Sequence, residues 1–181
     1  MQEIIHCEVL KIIKLEITMQ NHIKKTKRYA AIGLWGSVGA VIVAAVLCYA
    51  LHPVAGASRW MLIAGTVLAV LAVSMMLLSV RRQIPILRQT EGLEKKLKGY
   101  ELHVRDLYMT MLAVVVILCA FTFLGGRTVL LMLAMVSTLV LFLNYPNIYR
   151  IKVDLGLTDD EAKELFGDRY IPDTRDTGNE Q

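Results

Sequence analysis

Cys48 and His52 stand four residues apart, a spacing that puts a thiol and an imidazole on one face of a helix, and Cys119 falls at a similar depth in a separate apolar stretch. Together they could close a disulfide or supply part of a soft metal site. The ordinary uses compete: a lone buried Cys packs as a small apolar residue, and a His next to Pro53 at an interface is hydrated. No other constellation forms, since the chain contains no G-x-S-x-G, H-E-x-x-H, P-loop or C-x-x-C pattern. The sequence therefore assigns no catalytic residue, no metal ligand set and no cofactor.

The elements that would have to position any chemistry are unusually apolar. Of 181 residues 55% are hydrophobic and only 20% charged, more apolar than a soluble domain of that length needs. Long disordered tails and nucleic-acid modules are too polar to fit, and three Cys cannot frame a disulfide-stapled secreted fold.

The excess collects in four stretches without Asp, Glu, Lys or Arg. The first, 30–51, has 22 residues and would make a helix of about 33 Å, enough to cross a hydrocarbon core of about 30 Å. The others are 60–80, 107–124 and 128–145, the last closed by Pro146. The expected fold is an all-α membrane protein, an antiparallel four-helix bundle of spans with a small helical cytoplasmic cap. Its remaining pieces are an N-terminal segment 1–29, an outer loop 52–59, a cytoplasmic loop 81–106, an outer turn 125–127 and a C-terminal segment 146–181. None of these is long enough to build its own core.

Basic residues give an orientation. Lys11, Lys14, Lys24, Lys25, Lys27 and Arg28 precede the first span; Arg81, Arg82, Arg88, Lys95, Lys96, Lys98 and Arg105 lie in the middle loop; Arg150, Lys152, Lys163, Arg169 and Arg175 follow the last span. Only Arg59 and Arg127 fall on the other side, so both termini are expected in the cytoplasm, at the inner membrane if the source is bacterial. Lys24, Lys25, Lys27, Arg28, Arg81 and Arg82 abut the spans and are the candidates for contact with anionic lipid headgroups, each gaining about 1 kcal/mol. This accounts for the formal charge of +4 without nucleic acid.

Two alternatives concern the first stretch of chain. Met19 opens MQNHIKKTKRY and would be a natural start, which makes residues 1–18 a start-site artefact, the competing expectation being a short amphipathic surface segment. Ala55, Gly56 and Ala57 resemble a signal-cleavage site, but the preceding apolar run is too long for a cleavable signal and is read as a retained span.

The polar fringe is patterned. Leu93, Leu97, Tyr100, Val104 and Leu107 make one face of an expected helix over 91–106 that leads into the third span, supported by the i,i+4 pairs Glu91/Lys95, Glu94/Lys98 and Glu101/Arg105. Thr158 and Glu161 form a capping-box pattern that predicts a short helix over 159–166, its acidic start facing the basic middle loop. Within the spans, Gly33 with Ser37, Gly36 with Ala40 and Ala44, and Gly65 with Ala69 are small residues at four-residue spacing, expected to pack the first span on the second across a short loop.

Small multidrug exporters have a similar plan of four short spans, but they embed a Glu in the first, and 30–51 carries no carboxylate. The functional expectation is a non-catalytic accessory or scaffold subunit whose partners are the bilayer, another membrane protein or a second copy. The alternatives are a small transporter or channel whose uncharged path is lined by Ser37, Thr66, Ser74, Thr110, Ser137 or Thr138, and a membrane enzyme acting on lipid at a cytoplasmic rim where Asp, Glu, His or Arg converge.

Overall fold

Ala-, Leu- and Val-rich runs with few turn residues leave the chain little choice but helix, and the computed structural model is helical nearly throughout. It describes residues 2–51, 59–125, 128–167 and 170; His52 and the Ala55–Gly56–Ala57 triplet lie outside them. In order the helices are α1 (Gln2–Leu51), α2 (Arg59–Gln89), α3 (Leu93–Gly125), α4 (Thr128–Leu143), α5 (Ile148–Leu155) and α6 (Asp159–Phe166). Among the described residues three helical stretches are long and apolar enough to cross a membrane: Ile17–Ala50, Leu62–Gln89 and Leu93–Leu124. A fourth candidate joins α4 to α5 across a 79° bend.

Four features go beyond the sequence reading. First, residues 2–18 are the opening turns of α1, one helix from Gln2 to Leu51. Second, α2 does not stop where the charges begin. It carries Arg81 and Arg82 within the helix and continues to Gln89. Pro85 removes one backbone donor without ending it, and the Thr90 hydroxyl, donating to the Ile86 carbonyl, ties down the last turn. The reversal into α3 falls at Gly92, whose φ of 91° suits glycine and strains other residues.

Third, the chain beyond the fourth apolar stretch is more structured than expected. α4 ends at Leu143, and a further helix, α5, follows Pro146. The Asn147 side chain caps it by accepting from the Arg150 amide, and Gly156 closes it in the left-handed conformation.

Fourth, the row of small residues on α1 packs against α3, and α2 is not its main neighbour. A Cβ on Gly33 would sit 2.8 Å from Cβ of Tyr108, so glycine sets how closely these two helices approach. Gly36 faces Leu112 of α3, while Gly65 of α2 faces Leu130 of α4 and Leu118 of α3. Ala44 and Ala69 are buried with Val115, Leu118, Leu130 and Ala134, and Ala40 packs at the edge of that cluster. A short connection constrains where two helix ends lie, but α3 offers the better surface along its length. It touches α1, α2, α4 and α5, and its apolar window is 39% buried against 22% and 17% for those of α1 and α2.

The remaining apolar side chains point outward. Trp35, Ile42, Val43 and Val46 on α1, Val67, Val70 and Leu71 on α2, and Met132, Val136 and Leu139 on α4 are all exposed. Such a surface is suited to a lipid environment.

Candidate functional site

The side chains that can do chemistry gather where α5 and α6 lie, and the seam on α3 is what gathers them. Leu97, Tyr100 and Val104 are buried in one cluster with Met19 and Ile23 of α1, Ile151 and Leu155 of α5, and Ala162, Leu165 and Phe166 of α6. Arithmetic along the helix puts His103 on the same face, three residues beyond Tyr100 and four before Leu107.

Around that apolar cluster the polar groups bond from one helix to another. The Tyr100 hydroxyl donates to Asp154 Oδ2 at 3.0 Å. Asp154 also meets Arg150 Nε at 3.6 Å, while the Arg150 guanidinium donates to Asn144 Oδ1 at 2.7 Å and to the Leu143 carbonyl at 3.4 Å. A cation thus meets the unsatisfied carbonyl end of α4 and ties it to α5 across the bend. Arg88 does the same for α5 from α2, donating to the Val153 and Asp154 carbonyls at 2.7 and 3.2 Å. His22 Nδ1 lies 2.5 Å from Glu101 Oε2, and Gln20 Nε2 donates to the Leu165 carbonyl at 2.9 Å, so α1 is joined to both α3 and α6.

The expected charge pairs are rearranged accordingly. Glu101 turns to His22 and Arg105 to its neighbour Asp106, because a partner on another helix or at the next residue is nearer than one a turn away. Glu91/Lys95 and Glu94/Lys98 form no ion pair among the described residues. The acidic start of α6 faces α5, not the middle loop: Asp159 takes Lys152 and the Tyr170 hydroxyl, and Lys152 lies 5.4 Å over the Tyr170 ring. First the Lys152 ammonium and then the Tyr170 hydroxyl hold the Asp159 carboxyl below the ordinary carboxylate range. The capping box of α6 is complete, with Glu161 N donating to Thr158 Oγ1 and Thr158 N to Glu161 Oε2.

A cavity of about 20 Å³ lies within this network, lined by Tyr100, His103, Asn144, Arg150 and Asp154 among others, and two larger clefts lie elsewhere between the helices. One, about 320 Å³, lies between α2 and α3 and is lined by Met75, Met76, Ser79, Gln83, His103 and Asp106 among others. The second, about 740 Å³, is an apolar groove between α1 and α4 running from Trp35 to Phe142. Of the six hydroxyls proposed for a transport path, Thr110 lines the first and Thr138 the second, and the two clefts share no residue. Ser37, Thr66, Ser137 and Thr138, with Thr122, donate instead to carbonyls four residues back on their own helices.

At the opposite end of the helices Cys48 and Cys119 are both free thiols. Among the described residues no group of three His, Cys, Asp or Glu could hold a metal ion. Lys24, Lys25, Arg28, Arg81 and Arg82 are exposed and Lys27 half-buried, on the helical lengths that flank the clustered end.

Sequence reasoning missed His103, Arg88, Arg150 and the Tyr100–Asp154 bond. Signals for two of them were present: His103 shares the periodicity of the seam, and Asn144-Tyr145-Pro146-Asn147 is a run of turn formers that predicts a helix end needing a cap. Compared with known proteins, the chain matches no family model, no curated protein and no solved structure.

Proposed function

We propose that this chain is a non-catalytic, multi-pass integral membrane protein, an antiparallel four-helix bundle whose α5–α6 end forms a cap on the cytoplasmic face, and that it acts as an accessory or scaffold subunit. The observation that carries the reading is the state of polar groups within the apolar lengths. These lengths hold no Asp, Glu, Lys, Arg or His, and Ser37, Thr66, Thr122, Ser137 and Thr138 each return their hydroxyl to their own helix. Proton relays, ion paths and transport sites depend on embedded polar groups that face a shared cavity, and of these five hydroxyls only Thr138 is among the residues lining the two clefts, in a groove whose other lining is apolar. The asymmetry of Lys and Arg supports the orientation, with anionic lipid contacting Lys24, Lys25, Lys27, Arg28, Arg81 and Arg82. Polar residues of the cap are occupied with one another, as suits a rigid platform.

Crosslinking in intact membranes, followed by purification in mild detergent, tests the subunit role. The expected result is a partner, or a second copy, recovered in fixed stoichiometry at the capped end. Recovery of a clean monomer alone would count against a scaffold.

A further inference from the structure

His103 is 7% exposed and has no hydrogen-bond partner among the described residues. No side-chain nitrogen or oxygen described is sealed away without a partner, so the imidazole nitrogens reach accessible space, and His103 lines both the cleft between α2 and α3 and a cavity of about 20 Å³ shared with Tyr100, Arg150 and Asp154. An imidazole that no protein group holds can donate to or accept from a ligand that enters the larger cleft.

The cleft has a direction. Along α2 its wall runs from Met75 and Met76 through Ser79 to Gln83, and along α3 from Met111 to His103 and Asp106. Over roughly 10 Å of helix the lining therefore changes from thioether and alkyl to amide, imidazole and carboxylate. A purely polar solute has no use for the methionine end, nor an acyl chain for the other end. The volume of about 320 Å³ is at the small end of ligand pockets, about that of ten waters, which suits a headgroup with the start of a chain.

The headgroup can be narrowed by charge. No Lys or Arg lines the cleft, and its one carboxylate, Asp106, is exposed and contacted by Arg105 from its own helix. A bare anion finds no cation inside, whereas an ammonium carries three donors for the carboxylate, the Gln83 carbonyl oxygen and an imidazole nitrogen. We propose that this cleft binds an aminophospholipid of the phosphatidylethanolamine type, a zwitterion that brings its own counter-charge: its ammonium is held between His103 and Asp106, its phosphate lies beside that ammonium against the Ser79 hydroxyl and the Gln83 amide, and its chains leave past Met75 and Met76. The site rests on the membrane placement proposed above but not on a scaffold role, and it gives the capped end a specific lipid in addition to the anionic surface met by the basic residues.

The full-length protein, purified in mild detergent, can be titrated with phosphatidylethanolamine, phosphatidylcholine and phosphatidylglycerol of matched chains and bound lipid counted by native mass spectrometry. Phosphatidylethanolamine should bind about tenfold more tightly than phosphatidylcholine, whose trimethylated nitrogen donates no hydrogen bond. Glycerophosphoethanolamine at the same concentration should not displace it. His103→Ala and, independently, the exposed Asp106→Asn should each bring the two lipids within about twofold while the thermal midpoint of Asp106→Asn stays unchanged. Equal binding of the two lipids, preference for phosphatidylglycerol, displacement by the free headgroup, or a preference that survives Asp106→Asn would overturn the site. Loss of partner recovery with lipid preference intact would overturn the subunit role alone.

Discussion

Where α1, α3, α5 and α6 meet, hydrogen bonds run between helices; along the apolar lengths of α1 to α4, the Ser and Thr hydroxyls bonded within the described residues return to their own helix, and the bond that crosses, from the Tyr108 hydroxyl to the Leu141 carbonyl at 3.0 Å, belongs to the cluster at the α5–α6 end. Gln20 reaches α6, Tyr100 reaches α5, and Arg88 crosses from α2 to α5. Ser37, Thr66, Thr122, Ser137 and Thr138 reach only their own carbonyls. Burial differs in the same sense. Leu155 and Leu165 are enclosed, whereas Leu139 and Val136 lie open. The contrast is that of two solvents. In water an apolar side chain gains by being covered and a polar one can be spent on a cross-helix contact, while in lipid covering an alkyl group gains little and every polar group must be satisfied close by.

Truncating one leucine in each region should separate the two most strongly. Leu155→Ala should cost about 2–5 kcal/mol and release the α5–α6 end to protease, because it empties a closed core. Leu139→Ala removes the same atoms from an exposed face and should shift stability in detergent by less than about 1 kcal/mol. Equal losses would mean that the exposed face is covered by protein.

Close approach of backbones comes next. Gly33→Ala places a methyl 2.8 Å from Tyr108 Cβ and should lower the thermal midpoint, at a cost of about 1–3 kcal/mol. Gly39→Ala on the same helix meets nothing within 4 Å and should be neutral or stabilising by up to about 1 kcal/mol.

Of similar size is the hydroxyl comparison. Tyr100→Phe removes a cross-helix bond to a carboxylate and should cost about 1.5–3 kcal/mol at most, read by denaturant midpoint. Ser137→Ala removes a bond within one helix and should stay within about 0.5 kcal/mol.

The smallest effect concerns acid. Asp159 has a folded-state pKa below its unfolded value of 3.8, so its contact with Lys152 and Tyr170 contributes fully above about pH 4. It fades as pH falls through the lowered value. Protease sensitivity of the α6 end should rise over that interval, and Asp159→Asn should flatten the rise.

Much of this was legible in the sequence, and for physical reasons. Charge-free runs of 18 or more residues can satisfy their backbone in lipid only as helix, so a helical chain with helices long and apolar enough to cross a membrane is what composition leads one to expect. The α6 boundary was legible through Thr158 and Glu161, whose signal is local. What was not legible depends on geometry between distant residues. Loop length suggested α1 beside α2, but Gly33 fits under Tyr108, a pairing set by side-chain shape along α3. Charge spacing suggested Glu101 with Arg105, but His22, remote in sequence, lies nearer. Arg88 and Arg150 counted as topology signals, while their carbonyl partners at the ends of α5 and α4 have no side-chain signature to read. α5 was missed because Tyr, Arg, Lys and Asp interrupt Ile148, Ile151 and Leu155, whose spacing of three and four was the available clue.

The proposed orientation puts the α5–α6 end in the cytoplasm and the opposite end outside, and single cysteines placed at Arg59→Cys and Glu164→Cys, both exposed, in a background lacking Cys7, Cys48 and Cys119 decide it. In intact cells a membrane-impermeant maleimide should label Arg59→Cys at once and Glu164→Cys only after permeabilisation. Labelling of Glu164→Cys in intact cells, with Arg59→Cys protected, would contradict it.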